Sequence, residues 1–393
     1  MDVDVPPIPA SYDAFRERLK AFIAAHKPTL HWKPRAGLRV PDDPEDVAAL
    51  RKWVRSLHDA GFSVPVYGLG TRDPFEARII NEELGRTRIP SILGNPLVGG
   101  AIAEFGTEQQ RDTYLPAIPT GAHIWTQLFS EPNAGSDLSS LTTRARLDGD
   151  RYVVNGQKVW STWAQFADYG YLLARTGTEA GPAGITAFIL DMRSPGVTAR
   201  PLREMTGTTD FNEVFLDEVE IPADNVLGPV GGGWRVASRS LTQERGGLGG
   251  GGGDPIRDLV DLARQRMIGG RPAIDDSAVR QDIARLAARH RIQRYLGHSV
   301  ATKAASGTIT AWDAPVTKIW FSELNLELAE YALALQGPRG TLVEGEEWAC
   351  DDGRWQDAFL YARAFTIAGG TNEIMRNLIG ERGLGLPRQE RPS

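Results

Sequence analysis

The chain has 393 residues, 41% hydrophobic and 24% charged, more than one hydrophobic core accommodates, so two or three packed units are expected. A formal net charge of -6 excludes the basic footprint of a nucleic-acid binder. The single cysteine, Cys350, excludes a disulfide within the chain.

The N-terminus, MDVDVPPIPASYDAF, has neither a basic segment nor an apolar one, so no secretory signal is expected. No apolar run approaches a membrane span, and the expectation is a cytoplasmic protein. The first zone, residues 1–122, reads as a helical domain. Tyr12, Phe15, Leu19, Phe22 and Ile23 recur at helical spacing. Asp43-Pro44 and Asp73-Pro74 each place an N-cap before a proline at the first helical position. Gly61 and Gly85 are the expected stops. Thr107-Glu108-Gln109-Gln110 is a capping box.

The second zone, residues 123–232, changes to strand periodicity. Arg151 to Asn155 and Gln157 to Trp160 read as short strands, with hairpin turns expected at Gly149 and at Asn155-Gly156. Tyr171 to Ala174, Ile185 to Leu190 and Val214 to Leu216 follow, giving an antiparallel, barrel-like β unit. The third zone, residues 233–393, is helical again, with stripes at Ile283, Leu286, Ala287 and His290, and at Trp320, Leu324, Leu328, Tyr331 and Leu335. Helices, strands, then helices make an α+β order rather than βαβ alternation.

Several chemistries are unsupported. Gly249 to Gly253 follows a helical stretch and lacks a Lys-Ser/Thr pair, so it is no P-loop. Six scattered histidines without ligand spacing point to no metal. No GxSxG elbow marks a serine hydrolase.

One stretch is specific: Phe129-Ser130-Glu131-Pro132-Asn133-Ala134-Gly135-Ser136-Asp137. Downstream comes Gly149-Asp150-Arg151-Tyr152-Val153-Val154-Asn155-Gly156-Gln157-Lys158-Val159-Trp160-Ser161-Thr162. Together with LDEVEIPADNVLG (Leu216 to Gly228) and AGGTNEI (Ala368 to Ile374), these resemble the acyl-CoA dehydrogenase family along nearly the whole chain. The resemblance implies an α domain, a β domain and a C-terminal four-helix bundle, with FAD and an acyl-CoA thioester between them. It implies FAD near Phe129, Ser130, Ser136, Trp160, Ser161, Thr162, Thr371 and Glu373, and substrate near Ser136, Arg245, Gly369 and Gly370. A flat, amphipathic isoalloxazine needs an aromatic wall and a polar edge, which the residues around Trp160 offer. Read singly, Trp160 is more simply a core aromatic and Ser130 a strand-end hydroxyl.

The reaction needs a base beside the thioester α-carbon. Much of the family carries a glutamate directly before the C-terminal Gly-Thr, where this chain has Gly369. The resemblance to long-chain and isovaleryl-CoA dehydrogenases moves the base to a Glu-Arg pair on the first helix of the C-terminal domain, here Glu244-Arg245. Arg245 would approach the CoA or pair with a carboxylate. The Gly369 amide would hydrogen-bond the thioester oxygen.

Two landmarks depart from the family. Its Arg-x-x-Phe-Gly stretch, which holds FAD across a subunit interface, corresponds to Arg264-Gln265-Arg266-Met267-Ile268-Gly269. Its QxxGGxG stretch appears as Ala334 to Gly340, with alanine for glutamine. These departures resemble bacterial members that act on bulky substrates, some as heteromers. The resemblance implies an electron-transfer flavoprotein as electron partner and a homodimer or homotetramer, with a heteromeric half-site subunit and a same-fold oxidase as alternatives. The glycine tract from Gly246 to Gly253 reads either as room for a wide acyl group or as a bend between helices.

Overall fold

The computed structural model describes residues 7–31, 40–63, 72–90, 92, 94–247 and 254–388. Most of the glycine tract, from Leu248 to Gly253, lies outside the described residues. The described residues form two compact units, one from Pro9 to Gln243 and one from Glu244 onward with Pro7 and Ile8.

The first unit opens with α1 (Asp13–His26), α2 (Pro44–Asp59), α3 (Pro74–Thr87), α4 (Gly94–Phe105) and α5 (Glu108–Tyr114). The caps form as the sequence predicts. Asp43 accepts from the Glu45 amide, and Asp73 from the amides of Phe75 and Glu76. Thr107 and Gln110 satisfy one another's amides in a capping box. Gly85 does not stop α3, which continues to Thr87 and ends where Arg88 turns left-handed at φ 56°. An interior glycine costs only ~1 kcal/mol, and the Arg86–Glu83 pair at 2.9 Å spans it.

Eight strands follow: β1 (Trp125–Leu128), β2 (Arg144–Asp148), β3 (Arg151–Lys158), β4 (Tyr169–Arg175), β5 (Ile185–Asp191), β6 (Val197–Leu202), β7 (Phe211–Pro222) and β8 (Val226–Leu227). They form one sheet in the order β6-β7-β3-β2-β4-β5-β8, with β1 also paired to β4. Most neighbours are antiparallel, as expected. The β1–β4 pair is parallel, and β2 meets β4 at one parallel bridge, Arg144 to Arg175.

Gly149, at φ 65°, turns β2 into β3 as expected. Asn155-Gly156 does not form a hairpin. The strand runs through it, and the register against β7 slips between Val154 and Gly156. β7 pairs with β3 on both sides of the slip, so the extra residue is absorbed as a bulge. Asn155 is held there by Glu218, whose amide donates to its side chain from 2.9 Å.

Alternation along the strands sends side chains to two cores. Trp125, Tyr171, Leu173, Ile185, Ala187 and Ile189 pack with α4, α5 and the start of α6 (Gly233–Gly247). Leu172, Ala174, Phe188 and Leu190 face the other way, with Tyr152, Val154, Val214 and Leu216.

The second unit holds α7 (Pro255–Gln265), the hairpin of β9 (Met267–Ile268) and β10 (Arg271–Pro272), α8 (Ser277–Ala305), α9 (Asp313–Gln336), α10 (Arg354–Ile367) and α11 (Asn372–Leu378). Four helices share its core: Leu259 and Leu262 from α7, Leu286 from α8, Leu324 and Leu328 from α9, and Trp355 from α10. The stripes read from the sequence supply α8 and α9. Among the described residues, no helix is long and apolar enough to cross a membrane.

Candidate active site

In the first unit the two sequence motifs meet at the ends of β1 and β3. The chain leaving β1 passes Phe129 and Ser130, and the chain leaving β3 passes Val159 and Trp160. The Val159 amide donates to the Ser130 carbonyl at 2.9 Å. The Lys158 ammonium donates to the Phe129 carbonyl at 3.0 Å and to the Glu131 carboxylate at 2.8 Å. Phe129 is buried and stacks edge-on against Tyr171, 4.8 Å between centroids. Ser130 is half-buried.

Beyond β3 the backbone takes an unusual course. Trp160 and Trp163 have φ of 61° and 67°, left-handed conformations that bulky side chains rarely adopt. The two indoles differ in environment. Trp163 is wholly buried among Val40, Val47, Leu50, Ile92 and Ile124, whereas Trp160 is 60% exposed. Trp160 and Phe211 stand T-shaped, 5.9 Å between ring centroids. Between them Ser161 is buried, and its hydroxyl oxygen has no hydrogen-bond partner. Thr162 is half-buried.

Asn212, on β7, fixes this turn. Its backbone exchanges two hydrogen bonds with Ser161 at 3.1 Å, and its side-chain amide donates to the Ser161 carbonyl at 2.9 Å. Sequence reasoning missed Asn212, because no local pattern marks a residue that acts across two strands.

The Glu131–Lys158 pair was also unassigned, although both residues lie inside the quoted motifs. Glu131 further accepts from the Thr142 amide and hydroxyl and the Thr143 amide, at 2.7 to 2.9 Å. Burial lowers the Lys158 ammonium to about 8, against the opposing pull of Glu131. Burial would raise the Glu131 carboxyl, but the Lys158 charge and the hydrogen bonds from Lys158, Thr143 and Thr142 bring it down to about 2. Ser136 lies on the exposed turn that follows, next to Asp137, which accepts from the Ser139 hydroxyl at 2.7 Å.

The remaining predicted residues belong to the second unit. Glu244 and Arg245 sit near the C-terminal end of α6, and their side chains lie outside the described residues. Gly369 and Gly370 adopt φ of 65° and 95° between α10 and α11, a turn that requires glycine. Thr371 caps α11, its hydroxyl accepting from the Ile374 amide at 3.2 Å. Glu373 is exposed and pairs with Arg376 at 3.5 Å. The divergent Met267-Ile268 segment forms the β9–β10 hairpin, with both side chains about half exposed.

Comparison with known proteins accounts for this arrangement. The N-terminal, middle and C-terminal domain models of acyl-CoA dehydrogenase match residues 10–122, 126–219 and 231–384. The chain is 39% identical over 319 residues to acyl-CoA dehydrogenase IpdE1 of Mycobacterium tuberculosis, covering 78% of this chain and 79% of that one. It is 38% identical over 367 residues to acyl-CoA dehydrogenase FadE34 of the same organism, covering 90% of this chain and 49% of the relative. Among solved structures, the Tcur3481-Tcur3483 steroid ACAD superposes with a TM-score of 0.83 at 28% identity, covering 99% of this chain and 100% of that one. The ChsE4-ChsE5 complex of Mycobacterium tuberculosis superposes with a TM-score of 0.82 at 26% identity and the same coverage. With all three domain models matched in order, the chain belongs to the acyl-CoA dehydrogenase family of FAD-dependent oxidoreductases.

Proposed function

We propose that this chain converts an acyl-CoA thioester to the trans-2-enoyl-CoA, with Glu244 as the base. The observation that carries this reading is the meeting of the Phe129-Ser130 strand end with the Trp160-Ser161-Thr162 turn. The residues there fit a flavin. Trp160 offers an open aromatic face, and the buried Ser161 hydroxyl lacks a partner that a ring heteroatom would supply. The acceptor for the substrate's β-hydrogen, leaving as hydride, would be supplied by FAD held there.

The other roles fall to the chain itself. Glu244 removes the α-proton. The backbone at Gly369 and Gly370 holds the thioester carbonyl and so acidifies that proton. Phe129, Ser130, Trp160, Ser161 and Thr162 orient the flavin ring, while Ser136, Thr371 and Glu373 reach the outer parts of FAD or CoA. Arg245 approaches the CoA.

The substrate class we favour is a bulky, steroid-type acyl-CoA, supported by the similarity to a steroid ACAD. Electrons would pass to an electron-transfer flavoprotein. A second reading is that the chain works in a heteromer. It is favoured by the likeness to the ChsE4-ChsE5 complex and by Met267 and Ile268 standing exposed where the family has its Arg-x-x-Phe-Gly stretch.

The test is to count flavin per chain from the visible spectrum and to follow its anaerobic bleaching by acyl-CoA. One flavin per chain, bleached in the wild type and unbleached in Glu244→Gln, is the expected result. Normal bleaching in Glu244→Gln would sink the assignment of the base. About half an equivalent of flavin, restored by a partner chain, would favour the heteromer.

A further inference from the structure

We propose that Lys158 and Glu131 are positioning residues for the flavin, a buried ion pair that fixes the spacing between the Phe129-Ser130 strand end and the Val159–Thr162 turn; this rests on the flavin reading above.

The geometry is that of a three-point brace. Lys158 is wholly buried and Glu131 is 5% exposed. The ammonium ties the carbonyl leaving β1 to the carboxylate. The carboxylate in turn holds the amides of Thr142 and Thr143, where the chain enters β2. Two separate stretches of backbone, at Phe129–Glu131 and at Thr142–Thr143, are thereby locked to the end of β3. On its other side the turn is held by Asn212. The segment that carries Trp160 and Ser161 is therefore clamped from both flanks and kept in a strained, left-handed conformation.

Stability alone does not account for such a pair. A buried ion pair loses as much in desolvation as it gains in attraction, and a well-packed apolar pair does as well or better. An apolar pair would, however, leave the Phe129 carbonyl and the Thr142 and Thr143 amides without these partners. Relative to an apolar pair, the arrangement specifies a position rather than adding stability.

The brace also has a titration signature. The charge acting on Lys158 is that of Glu131, and the charge acting on Glu131 is that of Lys158. Arg175, on adjacent β4, directs its guanidinium to the carbonyls of Ser139, Leu141, Glu179 and Gly181 instead. As pH rises through about 8, Lys158 loses its proton and the Glu131 charge is left buried and unpaired. Flavin affinity should fall over the same range.

The experiment is a titration of apoprotein with FAD, followed by flavin fluorescence from about pH 6 to about pH 10, the range that brackets the lysine. The wild type should bind FAD and lose affinity along an alkaline limb. Lys158→Met should stay folded by circular dichroism, bind FAD about tenfold more weakly at neutral pH, and lack the limb. Glu131→Gln keeps the size and one acceptor oxygen but removes the attraction, so its limb should move to lower pH. If Lys158→Met does not fold, the direction of that movement decides. Folded Lys158→Met with wild-type affinity and an unchanged limb overturns the positioning role while leaving the flavin reading intact. A Glu131→Gln limb that stays where it is in the wild type overturns it too. A wild type that binds no FAD at any pH overturns both.

Discussion

The Lys318 ammonium lies 2.8 Å from the side-chain oxygen of Asn372, and the Ser322 hydroxyl donates to the same oxygen from 3.0 Å. All three side chains are buried. Asn372 is the first residue of α11, directly after the Gly369-Gly370-Thr371 turn, and the two donors stand one turn apart on α9. The turn assigned to the thioester is thus anchored by a charge inside the second unit.

Removing that acceptor should be costly. Asn372→Ala removes an acceptor shared by a buried ammonium and a buried hydroxyl, a loss of about 1.5 to 3 kcal/mol. Asn372→Asp keeps the acceptor and adds an opposing charge, so it should lose much less. Urea unfolding of the two variants measures the difference. Equal losses would mean that the acceptor oxygen, which Asp retains, is not what Asn372 contributes.

The register slip beside Gly156, where β7 carries the extra residue, makes a steric prediction. A Cβ at Gly156 would lie 2.4 Å from the Thr143 hydroxyl oxygen and 2.8 Å from the Thr143 Cα. A side-chain atom can rotate away, but a backbone atom cannot. Gly156→Ala should therefore destabilise by roughly 1 to 3 kcal/mol, and Thr143→Ser should not rescue it. A Gly156→Ala protein with an unchanged melting temperature would show that the two strands separate freely here.

Acid should act through Glu131. Its folded carboxyl lies near 2, below the ordinary 4.5, so its contribution is complete above about 4.5 and is lost as pH falls toward 2. At 1.36 kcal/mol per pH unit this is on the order of 3 kcal/mol. Urea unfolding of the wild type and Glu131→Gln should differ most near neutral pH and converge across that window. A gap that stays constant down to about pH 3 would count against the pair as its source.

Much of the helical framework was legible from the residues themselves. Asp43-Pro44, Asp73-Pro74 and the Thr107–Gln110 box are signals whose partners lie within a few residues, and each caps a helix where expected. Where local signals competed with long-range pairing, they misled. Asn155-Gly156 has hairpin chemistry, yet β7 supplies hydrogen bonds on both sides of it and keeps the strand running. Gly85 looks like a stop, yet the helix passes through. The parallel pairing of β1 with β4 had no sequence signature, because it joins strands more than forty residues apart, such as Trp125 and Tyr169.

The site divides in the same way. The sequence by itself determined which residues are present in the two motifs, that a glycine stands before the C-terminal Thr-Asn-Glu, and that a Glu-Arg pair follows in the next helical zone. Only the tertiary structure decided that Lys158 meets Glu131 across 27 residues, that Asn212 reaches Ser161 across 51, and that Lys318 reaches Asn372 across 54. The reason is physical. A cap or a tight turn is set by the sterics and hydrogen bonds of a few consecutive residues, which the sequence lists in order. A buried charge finds its partner only after strand register and helix packing have brought distant segments together, and no short window of sequence contains both.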